Sequence, residues 1–330
     1  MTVLVVGGTG FLGRSVVTEL LDRGHRVTAL SRREPLQDGP PGARSAVADA
    51  ERLDVTGWAG LLAGHDAVVF AAGRDDRTVP PAPAAAYFHR GNVVPVERLT
   101  AAARQVGCRS VVVLGSYFST LDRERPQREL ARHHPYIRSR VEQAAAARRA
   151  GGSEVAVAVL EIPFVFGAPT PGRGSLWAPA LPWLRSRWPL FAPPGGTAVV
   201  SVTAVAQAAA TAVEGALSGD FPVALANLGW PELLRRLAPA AGRPGPVRVL
   251  PAPAAPLHLA MRTLGLVHRL HHRQPGLAAH LAGPLLTSGL YLDTAVCRTR
   301  LGVTDTDLDR SFRETFTGRL AEQRPGGQVS

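Results

Sequence analysis

A chain of 330 residues, 45% of them hydrophobic and with a mean hydropathy of +0.04, has room for one large α/β unit with a smaller appendage. The formal net charge of +11 is carried entirely by arginine, since no lysine occurs. The arginines are scattered without aromatic interleaving, which argues against a nucleic-acid-binding protein. Cys108 and Cys297 can form no disulfide framework and stand at no metal-ligand spacing, so no metal is expected.

The chain opens on a strand-like run, Val3-Leu4-Val5-Val6, with no basic and apolar leader before it. No uninterrupted apolar stretch reaches roughly the 18 residues of a spanning helix. A cytoplasmic protein without an integral membrane span is the expectation. A glycine-rich turn and a helix over 14–22 follow, closed by Gly24. The next strand, 26–30, ends in Ser31-Arg32-Arg33, and a Pro- and Gly-rich loop covers 35–42. Strands are predicted over 67–70, 110–114 and 155–160, with helices over 92–106 and 136–150 between them. Strands alternating with helices predict a doubly wound parallel sheet. Beyond Gly167 the texture turns loop-rich through 168–196. Val199 to Val202, followed by an alanine-rich helix, reads as a return to the sheet. Pro251 to Pro284 is apolar, Pro-interrupted and sprinkled with Arg and His. It reads as amphipathic packing helices, as a lid, or as a peripheral membrane-facing surface. The division that results is a cofactor-binding core over 1–167, with a return of the chain at 199–228, and a substrate lobe made of 168–198 and 229–330.

Val5-Val6-Gly7-Gly8-Thr9-Gly10-Phe11-Leu12-Gly13 sets glycines at 7, 10 and 13 directly after a strand and before a helix. Gly7 permits the tight turn, Gly10 lets backbone approach a pyrophosphate, and Gly13 lets helix and strand pack closely. N–H groups at the helix start then face the phosphates. An NAD-selecting protein sets a carboxylate at the end of the second strand to accept from the ribose 2′-hydroxyl. Here that place holds Arg32 and Arg33, which fit a 2′-phosphate and predict NADP(H) as cofactor.

The run Gly-Gly-Thr-Gly-Phe-Leu-Gly resembles that of the extended short-chain dehydrogenases/reductases, the NAD-dependent epimerase/dehydratase superfamily with its dihydroflavonol-reductase-like and 3β-hydroxysteroid-dehydrogenase-like members. The likeness continues through Asp66 to Gly73, Gly91-Asn92-Val93, Val199 to Ala206 (without the usual aspartate), Leu292-Asp293 through Leu301-Gly302, and Phe312 to Thr315. It implies a Rossmann-type α/β fold. The cofactor contacts it implies are Gly7, Thr9, Gly10, Phe11, Leu12 and Gly13 in the turn, and Asp49 and Ala50 at the adenine. Ala71, Ala72, Gly73 and Asn92 follow along the groove, with Arg140 and Pro163 beside the nicotinamide.

The family's chemistry uses a Ser or Thr, a Tyr, and a Lys four residues after the Tyr. The tyrosine exchanges a proton with substrate oxygen while nicotinamide exchanges hydride with carbon. Tyr136-Ile137-Arg138-Ser139-Arg140 resembles this motif with Arg140 in the lysine's place, and Ser116 matches the expected serine, with Tyr117 and Ser119 as weaker substitutes. An arginine stays cationic but is bulkier and joins no proton relay. Glu161 and Phe166 stand where the family commonly has Arg and Tyr. The segment Leu176 to Phe191 is apolar and Trp-rich, as befits a substrate with a hydrophobic body. His133 and His134 are further acid–base candidates.

The expected function is NADPH-dependent reduction of a carbonyl, or the reverse oxidation, on a hydrophobic small molecule, as in a ketoreductase of specialised metabolism, with a homodimer as one assembly state. The alternatives are a cofactor-binding pseudoenzyme or regulator without turnover, and a sugar-nucleotide epimerase or dehydratase or another redox-neutral enzyme using the same pocket. Leu176 to Phe191 and Pro251 to Pro284 are expected to border one pocket near Tyr136.

Overall fold

The computed structural model describes residues 1–33, 41–170, 174–175 and 177–322, the side chains of 318–322 excepted. Its strands are β1 (Thr2–Val6), β2 (Arg26–Ser31), β3 (Arg44–Val47), β4 (Ala67–Phe70), β5 (Ser110–Leu114), β6 (Ala156–Glu161), β7 (Phe164–Phe166), β8 (Leu190–Ala192), β9 (Gly196–Ser201), β10 (Gly219–Pro222), β11 (Ala226–Gly229) and β12 (Val249–Pro251). Seven form a parallel sheet in the order β10-β6-β5-β4-β1-β2-β3. β4 and β5 are buried along their whole length, because a parallel sheet covered on both faces demands continuous apolar runs such as AVVF and SVVVL.

Alternation along β1 assigns the two faces. Val3 and Val5 pack with Val16, Val17 and Leu20 of the helix Phe11–Asp22 and with the alanine-rich helix Val202–Glu214. Leu4 and Val6 face the other layer, built from the helices Val55–Leu62, Val94–Gln105 and Pro135–Gly151. The chain leaves β1 for β2 on one side and reaches β4 on the other. The carboxyl ends of β1 and β4 therefore flank the switch point where such sheets bind ligands.

The expected return of Val199–Val202 to this sheet is corrected. The strand exists as β9, but it pairs parallel with β7 and antiparallel with β11 in a separate three-stranded sheet. The strand that joins the central sheet is β10, beside β6. An apolar run shows that a strand is buried; it does not show which neighbour its backbone groups will find. The helix Val202–Glu214 does return to the central sheet, its start capped by Ser201 Oγ, which accepts from Ala204 N at 2.9 Å. A further core gathers Phe166, Leu184, Leu190, Leu233, Leu237 and Phe312 around the three-stranded sheet and the β8–β12 pair.

Candidate functional site

Gly7 turns the chain after β1 with φ +80°, and a Cβ there would stand 3.1 Å from the carbonyl oxygen of Ala71. A Cβ on Gly13 would lie 2.2 Å from the Gly7 oxygen, so the helix Phe11–Asp22 packs onto the turn only without one. Gly10 N donates to Gly7 O at 2.9 Å, closing the turn. The helix that follows has no side-chain cap and no acidic residue in its first turn, which leaves its amino end suited to an anion.

This turn forms one wall of a cavity of about 750 Å³ at the carboxyl ends of β1, β2 and β4. Gly7, Thr9, Gly10, Arg32, Arg33, Asp49, Ala50, Ala71, Ala72 and Gly73 all line it. Phe11, Leu12 and Gly13, in the first helical turn, do not stand among the lining residues. The glycine cradle is the space that side chains would fill, and it fits a dinucleotide pyrophosphate. Arg32 and Arg33 are exposed at the β2 end. Asp49 Oδ1 accepts from Glu51 N at 3.1 Å.

The sequence reading missed the pair that spans the groove. Arg74 grips Glu51 with two bonds, Nε to Oε1 at 2.9 Å and Nη2 to Oε2 at 2.6 Å, and its guanidinium lies 3.9 Å from the Tyr87 ring centroid. Gly91 makes room, since a Cβ there would meet Arg74 at 2.5 Å. Asn92 lies beneath and is fully buried. Its Oδ1 accepts from Arg74 N at 2.7 Å, and its Nδ2 donates to Arg74 O at 3.1 Å and to Ser139 Oγ at 3.0 Å. It thus acts by holding the backbone after Gly73. A signal existed: Arg74 directly follows Gly73 and Glu51 follows Asp49-Ala50, each one residue past a recognised segment.

Tyr136 and Arg140 meet. Arg140 Nε donates to the Tyr136 hydroxyl at 3.2 Å, and its Nη1 donates to Gln143 Oε1 at 2.9 Å. Gln143 in turn donates to Asn92 O at 2.9 Å. A Cβ on Gly73 would stand 3.6 Å from Arg140 Nη1, so the guanidinium bridges the tyrosine to the end of the groove. Ser116, buried just past β5, accepts at 3.4 Å from Phe118 N. Tyr117 directs its hydroxyl to Thr197 Oγ1 at 3.4 Å, and burial pushes its phenol up. Ser119 is buried. Pro163 is buried between β6 and β7.

The other acid–base candidates serve the fold. His134 Nδ1 accepts from Ala278 N at 2.8 Å, and burial, helped by the charges of His133 and His280, pushes its pKa down to about 4. His133 pairs with Glu129 at the surface. Glu161, fully buried, accepts from Thr120 and from Arg123, whose Nη2 lies at 2.9 Å. Burial pushes its carboxyl up against the opposing pull of Arg123 and Thr120.

Around Tyr136 the walls are aromatic. The rings of Phe88 and Phe118 stand edge-on at 5.6 and 6.2 Å. Further along, Phe164 meets Trp177 at 5.8 Å and Trp230 at 6.0 Å. Tyr136 N donates to Gly276 O at 3.0 Å, so the segment Pro251 to Pro284 does reach the tyrosine. Its two helices pack on each other, with a Cβ on Gly265 standing 2.8 Å from the Cβ of Ala279. Ala279–Leu286 is partly buried, whereas Ala254–Leu270 contains no buried residue. Of the segment 176–191, Trp177 reaches Phe164, while Trp188 and Phe191 are exposed; Leu176 lies outside the described residues.

A doubly wound parallel sheet with a glycine cradle at its switch point defines a Rossmann-type fold, and a Tyr-x-x-x-Arg pair lies at the end of its groove. Residues 7–163 match the family described as NAD(P)H-binding, and this part of the chain is an NAD(P)H-binding domain. Solved structures of the epimerase/dehydratase superfamily share the fold over nearly the whole chain. The crystal structure of gox2253 matches at TM-score 0.75 with 20% identity, over 98% of this chain and 99% of that one. The Bordetella bronchiseptica enzyme WbmH in complex with NAD+ matches at 0.68 with 17% identity, over 98% and 99%. Human epimerase family protein SDR39U1 with NADPH matches at 0.66 with 17% identity, over 96% and 99%. At these identities the likeness is one of fold. In sequence, 67 residues are 48% identical to the chloroplastic divinyl chlorophyllide a 8-vinyl-reductase of Zea mays, a stretch that spans 19% of this chain and 17% of that protein. Among the described residues no helix is long and apolar enough to cross a membrane, and no cluster of potential metal ligands occurs.

Proposed function

We propose that this chain is an NADPH-dependent reductase of a carbonyl group, or an oxidant of the corresponding alcohol, acting on a small molecule with a hydrophobic body. The observation that carries this reading is the Tyr136 hydroxyl, held at 3.2 Å by the Arg140 guanidinium where the dinucleotide groove ends. Nicotinamide supplies or takes the hydride when bound. Tyr136 holds the proton that goes to the substrate oxygen, and the fixed positive charge of Arg140 favours negative charge on the phenol oxygen as that proton leaves. Ser116 orients the carbonyl. Arg140, anchored by Gln143, would hold the nicotinamide ribose. Arg32 selects the 2′-phosphate. Phe88, Phe118, Phe164, Trp177 and Trp230 offer an apolar, aromatic surface to the rest of the substrate, with 168–198 and 229–330 forming its lobe.

The test is NADPH oxidation against a panel of hydrophobic ketones and aldehydes. Tyr136→Phe is expected to lower the rate by roughly 10²–10⁴-fold while leaving NADPH affinity nearly unchanged. Arg140→Ala damages both. An unchanged rate in Tyr136→Phe overturns the reading. A second reading, a cofactor binder without turnover, is favoured by the commitment of Arg140 to both Gln143 and Tyr136. It predicts tight NADPH binding, no oxidation by any substrate and no net interconversion of UDP-sugars.

A further inference from the structure

The helix Ala254–Leu270 is built inside out. Its inward positions are Leu257, His258, Met261, Gly265 and His268, where a Cβ on Gly265 would stand 2.8 Å from the Cβ of Ala279. Its outward positions carry the larger aliphatic residues. Leu259 is 67% exposed, Leu266 57% and Leu270 72%, with Leu264 and Val267 beside them. A surface helix ordinarily turns such residues to the core. Here no residue of the helix is fully buried, and its packing on Ala279–Leu286 leaves the outward leucines uncovered.

Charge identifies what covers the face. From residue 233 to 292 there is not one Asp or Glu, whereas seven arginines and five histidines occur, so seven of the net eleven positive charges fall in this stretch. Arg262 and Arg269 share the outward face with the leucines, and Arg248 stands exposed just before the helix. None of the three has an acidic partner among the described residues. A second copy of this chain would set arginine against arginine over an acid-free face, which charge repulsion opposes. Long aliphatic side chains interleaved with unpaired arginines are instead the pattern of a helix lying in the headgroup layer of an anionic bilayer. The strand pair that leads into the helix continues it. Phe191 of β8 is paired in register with Leu250 of β12; both are exposed, and Trp188 nearby is 79% exposed. Trp favours that interface because its ring is apolar and its indole N–H is polar, and Phe adds apolar area to the same face.

We propose that Ala254–Leu270, with Trp188, Phe191 and Leu250, docks this protein on the surface of a membrane rich in anionic lipid. The helix lies in the interface and does not span it. Six residues past its end the chain reaches Gly276, whose carbonyl accepts from Tyr136 N, so the segment that follows the helix is tied to the backbone of the tyrosine.

The test is co-sedimentation of the full chain with vesicles of phosphatidylcholine alone and with about one third phosphatidylglycerol. Strong binding to the second and at least tenfold weaker binding to the first is expected, with the binding falling as salt rises. Leu266→Glu with Leu270→Glu should lose binding at least tenfold. Arg262→Glu with Arg269→Glu should abolish the preference for anionic vesicles. All four changes lie on a face without buried residues, so melting temperature and NADPH affinity stay at the parent values and report intact folding. Absence of binding to anionic vesicles overturns the proposal, as does equal binding to both compositions. A dimer in analytical ultracentrifugation that the leucine variants dissolve also overturns it, because a second copy then covers the face.

Discussion

At residue 13 the fold leaves no choice, because a Cβ would stand 2.2 Å from a backbone oxygen that has no soft direction in which to move. Gly13→Ala is expected to destabilise the protein by about 1–3 kcal/mol and to weaken NADPH binding at least tenfold, as helix and turn separate. Thermal melting and a fluorescence titration check both. Gly60, in the exposed part of the helix Val55–Leu62, makes the contrast, since a Cβ there meets nothing within 4 Å. Gly60→Ala should stabilise by roughly 0.5–1 kcal/mol, because alanine loses less backbone entropy on becoming helical. Arg32→Ala should cost NADPH roughly tenfold in affinity and leave NADH unchanged, as expected for one charge-assisted contact at an exposed site. Equal affinities for the two cofactors in the parent protein would sink that role.

The helix Pro135–Gly151 is the element on which the site depends, since Tyr136, Ser139, Arg140 and Gln143 all project from it. Its start is held by two bonds to the segment after Ala254–Leu270: Tyr136 N to Gly276 O, and Ala278 N to His134 Nδ1. Burial keeps His134 neutral, with its pKa near 4 against an ordinary value of 6.5. The unfolded chain therefore takes up a proton on this residue at a higher pH than the folded one. The resulting stability is complete above about pH 6.5 and is lost as pH falls toward 4, by roughly 3 kcal/mol in all. Melting temperatures across that window should fall more steeply for the parent than for His134→Gln, which keeps an acceptor but does not titrate. A pair of parallel curves would refute the account. Glu161 plays the matching part on the other side of β6. Through Thr120 and Arg123 it ties the helix Phe118–Glu124 to the sheet, so it holds an element in place.

On the scale of the molecule, the groove draws its walls from the ends of three strands and from segments more than eighty residues apart, Gly7 and Gly91 among them. A ligand in it ties these pieces together and binds the folded state only. At a hundred times its dissociation constant NADPH is expected to add about 2.7 kcal/mol of stability, which a melting curve reads as a shift of several degrees. NADH at the same concentration should shift it less. No shift with either would contradict the cofactor assignment.

What the amino-acid sequence by itself determined are features of short range. The glycines at 7, 10 and 13 are legible because the turn needs them within one strand–turn–helix unit, and the strands β4 and β5 are legible because burial on both faces writes an unbroken apolar run. The Tyr136–Arg140 pair is legible because i and i+4 share a helical face. Short elements lacking such a pattern were not, as with β3, whose residues Arg44–Val47 are mostly exposed at the sheet edge. Partnerships across the chain were decided by the tertiary structure alone. That β9 serves a second sheet while β10 completes the first depends on which backbone groups lie within reach. The Glu51–Arg74 clamp joins residues 23 apart in sequence, and the role of Glu161 rests on an arginine 38 residues away. The outward turn of Leu259, Leu266 and Leu270 is of the same kind. A helical period shows that one face is apolar, and only the packing of its neighbours decides whether that face looks to the core or to the surroundings.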